Sequence, residues 1–197
     1  MTTCVIMQSN YIPWKGYFHL ISEADIFVFY DIVQYTKNDW RNRNRIKPPT
    51  GPTWMTIPIS AKSGVKINEV ELPSGKWRKN HLKTIRYSYS PAKYMQDALG
   101  IMEKNLNDDS KKMLSELNKG LIIDISEYLG IETEFVDASD LSPEGDRVER
   151  LIDICKKVGA DEYLSGPSAK SYFSDEFSDT GINIRWMEYG PYREYSQ

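Results

Sequence analysis

Cysteine and histidine are the scarce residues of this chain, two of each in 197. Cys4 and Cys155 each sit in an apolar run, CVIM and LIDICKKV, with no Cys or His at metal-ligand spacing. That excludes a zinc-type site and points to buried free thiols rather than a disulfide framework. Two histidines leave little room for a Ser-His-Asp triad, and the P-loop, GxGxxG, HExxH and GxSxG patterns are missing as well. No apolar run is long enough to cross a membrane. The opening MTTCVIMQSNY lacks the basic region and long apolar stretch of a signal peptide, so the cytoplasm is the expected location. Positive charge is not in excess either. A net charge of −3 offers no field to hold a polyanion, so nucleic acid is not an expected partner.

What is present is ordinary globular material: 40% hydrophobic and 27% charged residues, in a length that suits one domain. No linker, repeat or low-complexity stretch interrupts 1–197, which is read as a single α/β domain. Cys4 to Met7 reads as a strand, Gly16 to Ala24 as a helix with Tyr17, Phe18 and Ile21 inward, and Ile26 to Tyr30 as a buried central strand. That is a βαβ opening, and its crossover implies a parallel sheet. Arg41–Ile46 and Trp54–Ile59 flank the turn signal PPTGP and read as an inserted hairpin. Lys66 to Leu72 is read as a further strand. Helical patterns cover Trp77–Tyr89, Ala92–Lys104 and Ser110–Leu129, the last stopped by Gly130, and then Asp146–Val158, stopped by Gly159. Short strands follow at Glu134–Val136, Glu162–Ser165 and Asn183–Tyr189. The expected fold is a three-layer α/β sandwich with a mainly parallel sheet and an inserted β-hairpin.

Three polar clusters follow predicted strands. Gln8, Asn10, Tyr11, Lys15 and Gly16 lie between the first strand and its helix, where parallel sheets bind ligands and helix N-termini present free amides to anions. The bland alternative is a βα loop whose Asn, Pro and Gly only shape the turn. Asp31, Gln34, Asn38, Trp40, Asn42, Arg43 and Arg45 follow the second strand. If extended, Arg41, Arg43, Arg45 and Lys47 share one face that suits a phosphate or diphosphate; the alternative is a solvated hairpin with edge charges. Ser165, Gly166, Ser168 and Lys170, with Tyr172 beyond, follow the strand at Glu162, and a capped helix start would look the same. His81 lies among Lys79, Lys83 and Arg86. Those like charges would disfavour its charged form and leave a neutral base, if it is not simply a surface histidine. If the three clusters follow parallel neighbours, Asn10, Asn42 and Ser165 should share one cleft.

The blocks QSNYIPWKGYFHLISEADIFVFYD, VQYTKNDWRNRNRIK and GPTWMTIPI resemble the opening of the WbqC-like family, and HLKTIRYSY and LSGPSAKSY extend the resemblance to almost the whole chain. Ser9 stands where the family pattern usually has proline. The resemblance implies a cytoplasmic step of O-antigen or other surface-polysaccharide biosynthesis on a nucleotide-linked amino sugar. An amino acid such as glycine, or another acyl group, would be joined to it in amide linkage. A more distant similarity joins Pro13 to Ile21 to the Pro-x-x-Gly-His-x-x-Leu-Ile stretch of nucleotidylyltransferases and pantothenate synthetase, with Tyr17 in place of the histidine that contacts ATP phosphates there.

In that reading Asn10, Tyr11, Lys15 and Gly16 line a nucleotide or phosphate site, Arg43 and Arg45 hold a diphosphate, and Trp40 stacks on a base or sugar. Asp31 or His81 takes the proton from the sugar ammonium. No metal site and no definite cofactor is expected. ATP with magnesium stands open as the alternative to a preactivated acyl donor. The competing readings are a non-catalytic nucleotide-sugar-binding subunit and, less favoured for want of a DxD-type motif, a glycosyltransferase.

Overall fold

The computed structural model describes residues 1–171 and 175–193. Contacts divide the chain into two compact units. Among the described residues, the first comprises Met1–Gln8, Trp14–Ile32 and Leu129–Tyr192; the second holds Ser9–Pro13, Val33–Tyr128 and Arg193.

The first unit is built on five strands: β1 (Thr3–Met7), β2 (Ile26–Phe29), β5 (Glu134–Asp137), β6 (Glu162–Ser165) and β7 (Asn183–Trp186). Their order is β5-β2-β1-β6-β7, and every neighbouring pair is parallel. The register Cys4↔Ile26, Val5↔Phe27, Ile6↔Val28 sends alternate residues to opposite faces. Cys4, Ile6, Val28 and Tyr163 meet Ile152 and Cys155 of α6 (Arg147–Lys157) on one face. On the other, the Phe27 ring lies 5.6 Å from Tyr17 of α1 (Lys15–Ser22) and 5.8 Å from Phe135. Helix, sheet and helix make the expected three layers. Phe27 is fully buried, and its truncation to alanine would cost about 3–5 kcal/mol. The strand at Ile26 lies inside the sheet, between β5 and β1, as its unbroken apolar run predicts. Cys4 and Cys155 are buried free thiols.

The second unit pairs β3 (Arg43–Ile46) with β4 (Thr53–Thr56) as the expected antiparallel hairpin. It packs this hairpin with α2 (Trp77–Ser88), α3 (Met95–Leu106) and α4 (Leu114–Tyr128) around Ile57, Leu82, Leu99, Leu117 and Leu121. A four-residue helix, α5 (Ala138–Leu141), follows β5 in the first unit.

Three expectations are corrected. Lys66–Leu72 is not a strand but a 3₁₀ turn over Ile67–Glu69, touched by isolated bridges at Lys66 and Glu71. Ile67 and Val70 are both buried, and a spacing of three places them on one side of a 3₁₀ turn rather than on alternate faces of a strand. The helix expected from Ala92 begins at Met95, because Ala92 and Met95 close successive turns on Tyr89 and Ala92 carbonyls. The helix expected from Ser110 begins at Leu114. The preceding chain pairs instead with 70–72, through Leu72 N to Lys112 O and Leu114 N to Val70 O, while the Glu116 carboxylate accepts from the Lys112 and Met113 amides. Among the described residues, no helix is long and apolar enough to cross a membrane.

Candidate functional site

Because the five strands of the first unit run parallel, their carboxyl ends lie on one edge. β1 delivers Gln8 there, β2 delivers Asp31, and β6 delivers Ser165 and Gly166, while Met187 to Tyr189 follow β7. This is the edge at which open α/β sheets bind ligands. Asp31 is fully buried and Ser165 nearly so. Ser165 is the last residue of β6, and its side chain is hydrogen-bonded to that of Tyr163. Gly166 lies against the Tyr189 hydroxyl, and a Cβ there would sit 3.5 Å from it. Lys170 and Ser168 are exposed in the 3₁₀ turn Pro167–Ser171, with Lys170 Nζ 5.6 Å from the Trp186 ring. Tyr172 lies outside the described residues.

Trp14, at the start of α1, is half exposed and forms an aromatic wall with Tyr189 and Tyr192, none of the three being a site residue expected from the sequence. Its ring lies 5.2 Å from Tyr189 and 6.1 Å from Tyr192, and Lys15 Nζ sits 4.9 Å from the Tyr192 ring. Tyr189 and Tyr192 follow β7 in a stretch with no motif to mark it; the Gly-Pro pair before Tyr192 was the sole local signal. Gly16 has a different part from the one expected of it. The space its Cβ would occupy is filled by the Trp14 indole, so glycine here seats the aromatic ring rather than letting a phosphate approach. Tyr17, which replaces the ATP-contacting histidine of the distant layout, is buried and donates its hydroxyl to the Gln8 carbonyl at 3.0 Å. A cavity of about 540 Å³ opens beside Lys15, between the Phe18–His19–Ser22 face of α1 and residues 129–131 and 190–192. Its His19 Nδ1 and Tyr192 hydroxyl are hydrogen-bonded at 3.1 Å.

The remaining candidates belong to the second unit. Asn10 Oδ1 accepts from Arg41 at 3.0 Å, and Arg41 is ion-paired with Asp39 at 2.6 Å. Burial pushes the Asp39 carboxyl up. Hydrogen bonds from Arg41 and the Trp40 amide, with the charges of Arg41 and Arg43, outweigh burial and hold it below the usual carboxylate range. Asn42 is buried and donates to the Ile57 carbonyl at 2.9 Å. Asn44 donates to both the Tyr11 and Ile12 carbonyls, at 3.2 and 2.7 Å, clamping a segment in which Ile12 holds a positive φ of 46°. Gln34 bridges to Lys66, and Asn38 is exposed at a turn with φ 57°.

The single cationic face expected over 41–47 shrinks to Arg43 and Arg45. The strand begins at Arg43, which leaves Arg41 in a turn with its own acid, and it ends before Lys47.

His81 is not a surface residue: it is buried. Its Nδ1 lies 2.8 Å from the Tyr11 hydroxyl and its Nε2 3.1 Å from the Thr56 carbonyl. A carbonyl only accepts, so Nε2 carries the proton and Tyr11 donates to Nδ1. Burial, opposed by the bond to Thr56, lowers the imidazole to about 4. The expectation of a neutral imidazole holds, but its cause is desolvation, not the neighbouring lysines. Burial also pushes the Tyr11 hydroxyl up, against the charge of Arg78. Among the described residues, no group of three His, Cys, Asp or Glu side chains is placed to hold a metal ion.

In open parallel α/β sheets the carboxyl edge is where ligand sites are usually built, and here that edge carries an aromatic and cationic wall. The family model for the WbqC-like protein family matches residues 8–197, and the chain belongs to that family. Membership suggests a biosynthetic role. The chain is 40% identical over 200 residues to "Uncharacterized protein Rv1507c" of Mycobacterium tuberculosis (strain ATCC 25618 / H37Rv), an alignment that covers all of this chain and 87% of the relative. No solved structure matches it significantly.

Proposed function

We propose that this protein is a cytoplasmic enzyme of O-antigen or related surface-polysaccharide biosynthesis that forms an amide on a nucleotide-linked amino sugar. The observation that carries the reading is the gathering of Gln8, Asp31, Ser165 and Gly166, with the Trp14–Tyr189–Tyr192 wall, around one carboxyl edge of a parallel sheet. The family resemblance supplies the substrate class. The wall gives a base or sugar ring a face to lie on, and Lys15 and Lys170 supply cations for a diphosphate. The cavity beside Lys15, floored by Phe18, Ile131 and Pro191, has room for the acyl partner. In the reaction the sugar amine attacks the acyl carbonyl, the C–N bond forms, the activating group leaves with its bonding electrons, and the amine proton passes to a base. Asp31 is the carboxylate at this edge assigned to that role.

A second reading, a non-catalytic nucleotide-sugar-binding subunit, draws support from His81: both its ring nitrogens are engaged inside the protein, which removes one of the two candidate bases. Turnover separates the two. The protein is incubated with uridine- or thymidine-diphosphate amino sugars and glycine, with and without ATP and magnesium, or with preactivated glycyl and acetyl donors. Mass spectrometry should show a sugar nucleotide heavier by the acyl group. Binding without any such product favours the second reading, and neither binding nor product sinks both.

A further inference from the structure

The outer face of the β3–β4 hairpin carries chemistry that folding does not explain. The register Arg43↔Thr56, Arg45↔Trp54 puts these four side chains on one face, while Ile46 and Met55 turn into the core of the second unit. Trp54 is 45% exposed, and Trp40, 47% exposed, leans against it with ring centroids 5.6 Å apart at 44°. The Arg43 guanidinium lies over the Trp54 ring, 4.2 Å from its centroid, and its buried Nε has no hydrogen-bond partner. Arg45 is exposed beside it. Asp39, which also feels the charge of Arg43, is ion-paired with Arg41, and among the described residues neither Arg43 nor Arg45 forms a salt bridge, so the face carries a net positive charge.

Two adjoining indoles left half in water offer ring faces on which a ligand ring can lie. Their tilt decides the kind of ligand. Parallel rings make a slot for a planar base; rings inclined at 44° make a shallow trough that fits the C–H face of a puckered pyranose. A guanidinium stacked on a ring still has its terminal Nη N–H groups free in its own plane to pair bidentately with a carboxylate or phosphate.

We propose that this face binds an anionic saccharide, with a pyranose ring on Trp40 and Trp54 and its carboxylate or phosphate on Arg43 and Arg45. The site belongs to the second unit, and its chemistry does not depend on the amide formation assigned to the sheet edge.

The test is titration calorimetry, with tryptophan emission followed in parallel, on the full chain. The probes are a hyaluronan tetrasaccharide for the uronic acid, glucose 1-phosphate for the sugar phosphate, chitotetraose as the neutral control and a thymidine tetranucleotide as the nucleic-acid control. The proposal expects one of the acidic saccharides to bind and quench emission, at least about tenfold more tightly than chitotetraose. It also expects Arg45→Gln and Trp54→Ala each to weaken that binding by about tenfold or more. Arg45 is exposed, so its substitution leaves the fold intact even if Trp54→Ala does not. Equal binding of neutral and acidic saccharides, no saccharide binding, indifference to Arg45→Gln, or tighter binding of the oligonucleotide would each overturn it.

Discussion

The Tyr11 hydroxyl donates to His81 Nδ1 across 2.8 Å in the core of the second unit. Burial raises the tyrosine and lowers the histidine, so the proton stays on Tyr11 and the pair is neutral. Each group satisfies the other, and Thr56 satisfies the second ring nitrogen. Tyr11→Phe would leave a buried acceptor bare, at a cost of about 1–3 kcal/mol. Urea unfolding should show a lower midpoint at unchanged m-value; an unchanged midpoint would mean that the bond contributes nothing.

The same pair predicts a pH dependence. His81 titrates near 6.5 when unfolded and near 4 when folded. Above 6.5 the imidazole is neutral in both states and its contribution is fully present. As pH falls from 6.5 towards 4 the unfolded chain takes up a proton that the folded one refuses, and stability drops by on the order of 3 kcal/mol before levelling. His81→Gln should flatten this part of the profile while leaving the carboxylate titrations in place. Parallel profiles for the two proteins between pH 7 and 4.5 would show that the imidazole is not the source.

Asn44 holds the carbonyls of Tyr11 and Ile12. A β-branched residue at φ 46° is strained and persists only where its surroundings insist on it. Asn44→Ala should therefore destabilise the second unit by about 1–2 kcal/mol and speed amide exchange over 10–12. Exchange in that segment at the wild-type rate would show that Asn44 is not the restraint.

Gly16 seats the Trp14 indole, so Gly16→Ala must displace it. Trp14 is half exposed and free to swing outward, and alanine favours the helix by up to about 1 kcal/mol. Stability should change little, while tryptophan emission shifts to the red and binding of a uridine-diphosphate amino sugar weakens. A large loss of stability with unaltered emission would contradict this.

Much of the fold was legible because apolar patterning is a local signal. Ile26–Phe29 is a continuous apolar run and lies inside the sheet; Gly130 and Gly159 follow α4 and α6 with φ of 71° and 68°, the left-handed stop that glycine takes without strain. The missed boundaries at Ala92 and Ser110 came from turns and from pairing with a distant segment, 70–72, which no local window contains.

The site was legible in outline only. A polar residue after a strand announces that it needs a partner, not which partner. Asn10 and Arg41 answer each other, and Asn44 answers the backbone of 11–12. Lys79, Lys83 and Arg86 are neighbours of His81 in sequence but point to solvent, so burial, invisible in a single sequence, governs its protonation. Trp54, Tyr189 and Tyr192 went unmarked because each gains its meaning from a ring brought to it by the fold.

The central claim is that the carboxyl edge of the parallel sheet binds the sugar nucleotide. Hydrogen–deuterium exchange with and without saturating uridine- or thymidine-diphosphate amino sugar tests it most directly. Protection should appear together at 8 and 14–16, at 165–170 and at 187–192. Protection confined to the hairpin at 43–56, or absent from all three segments despite binding shown by calorimetry, would contradict the account.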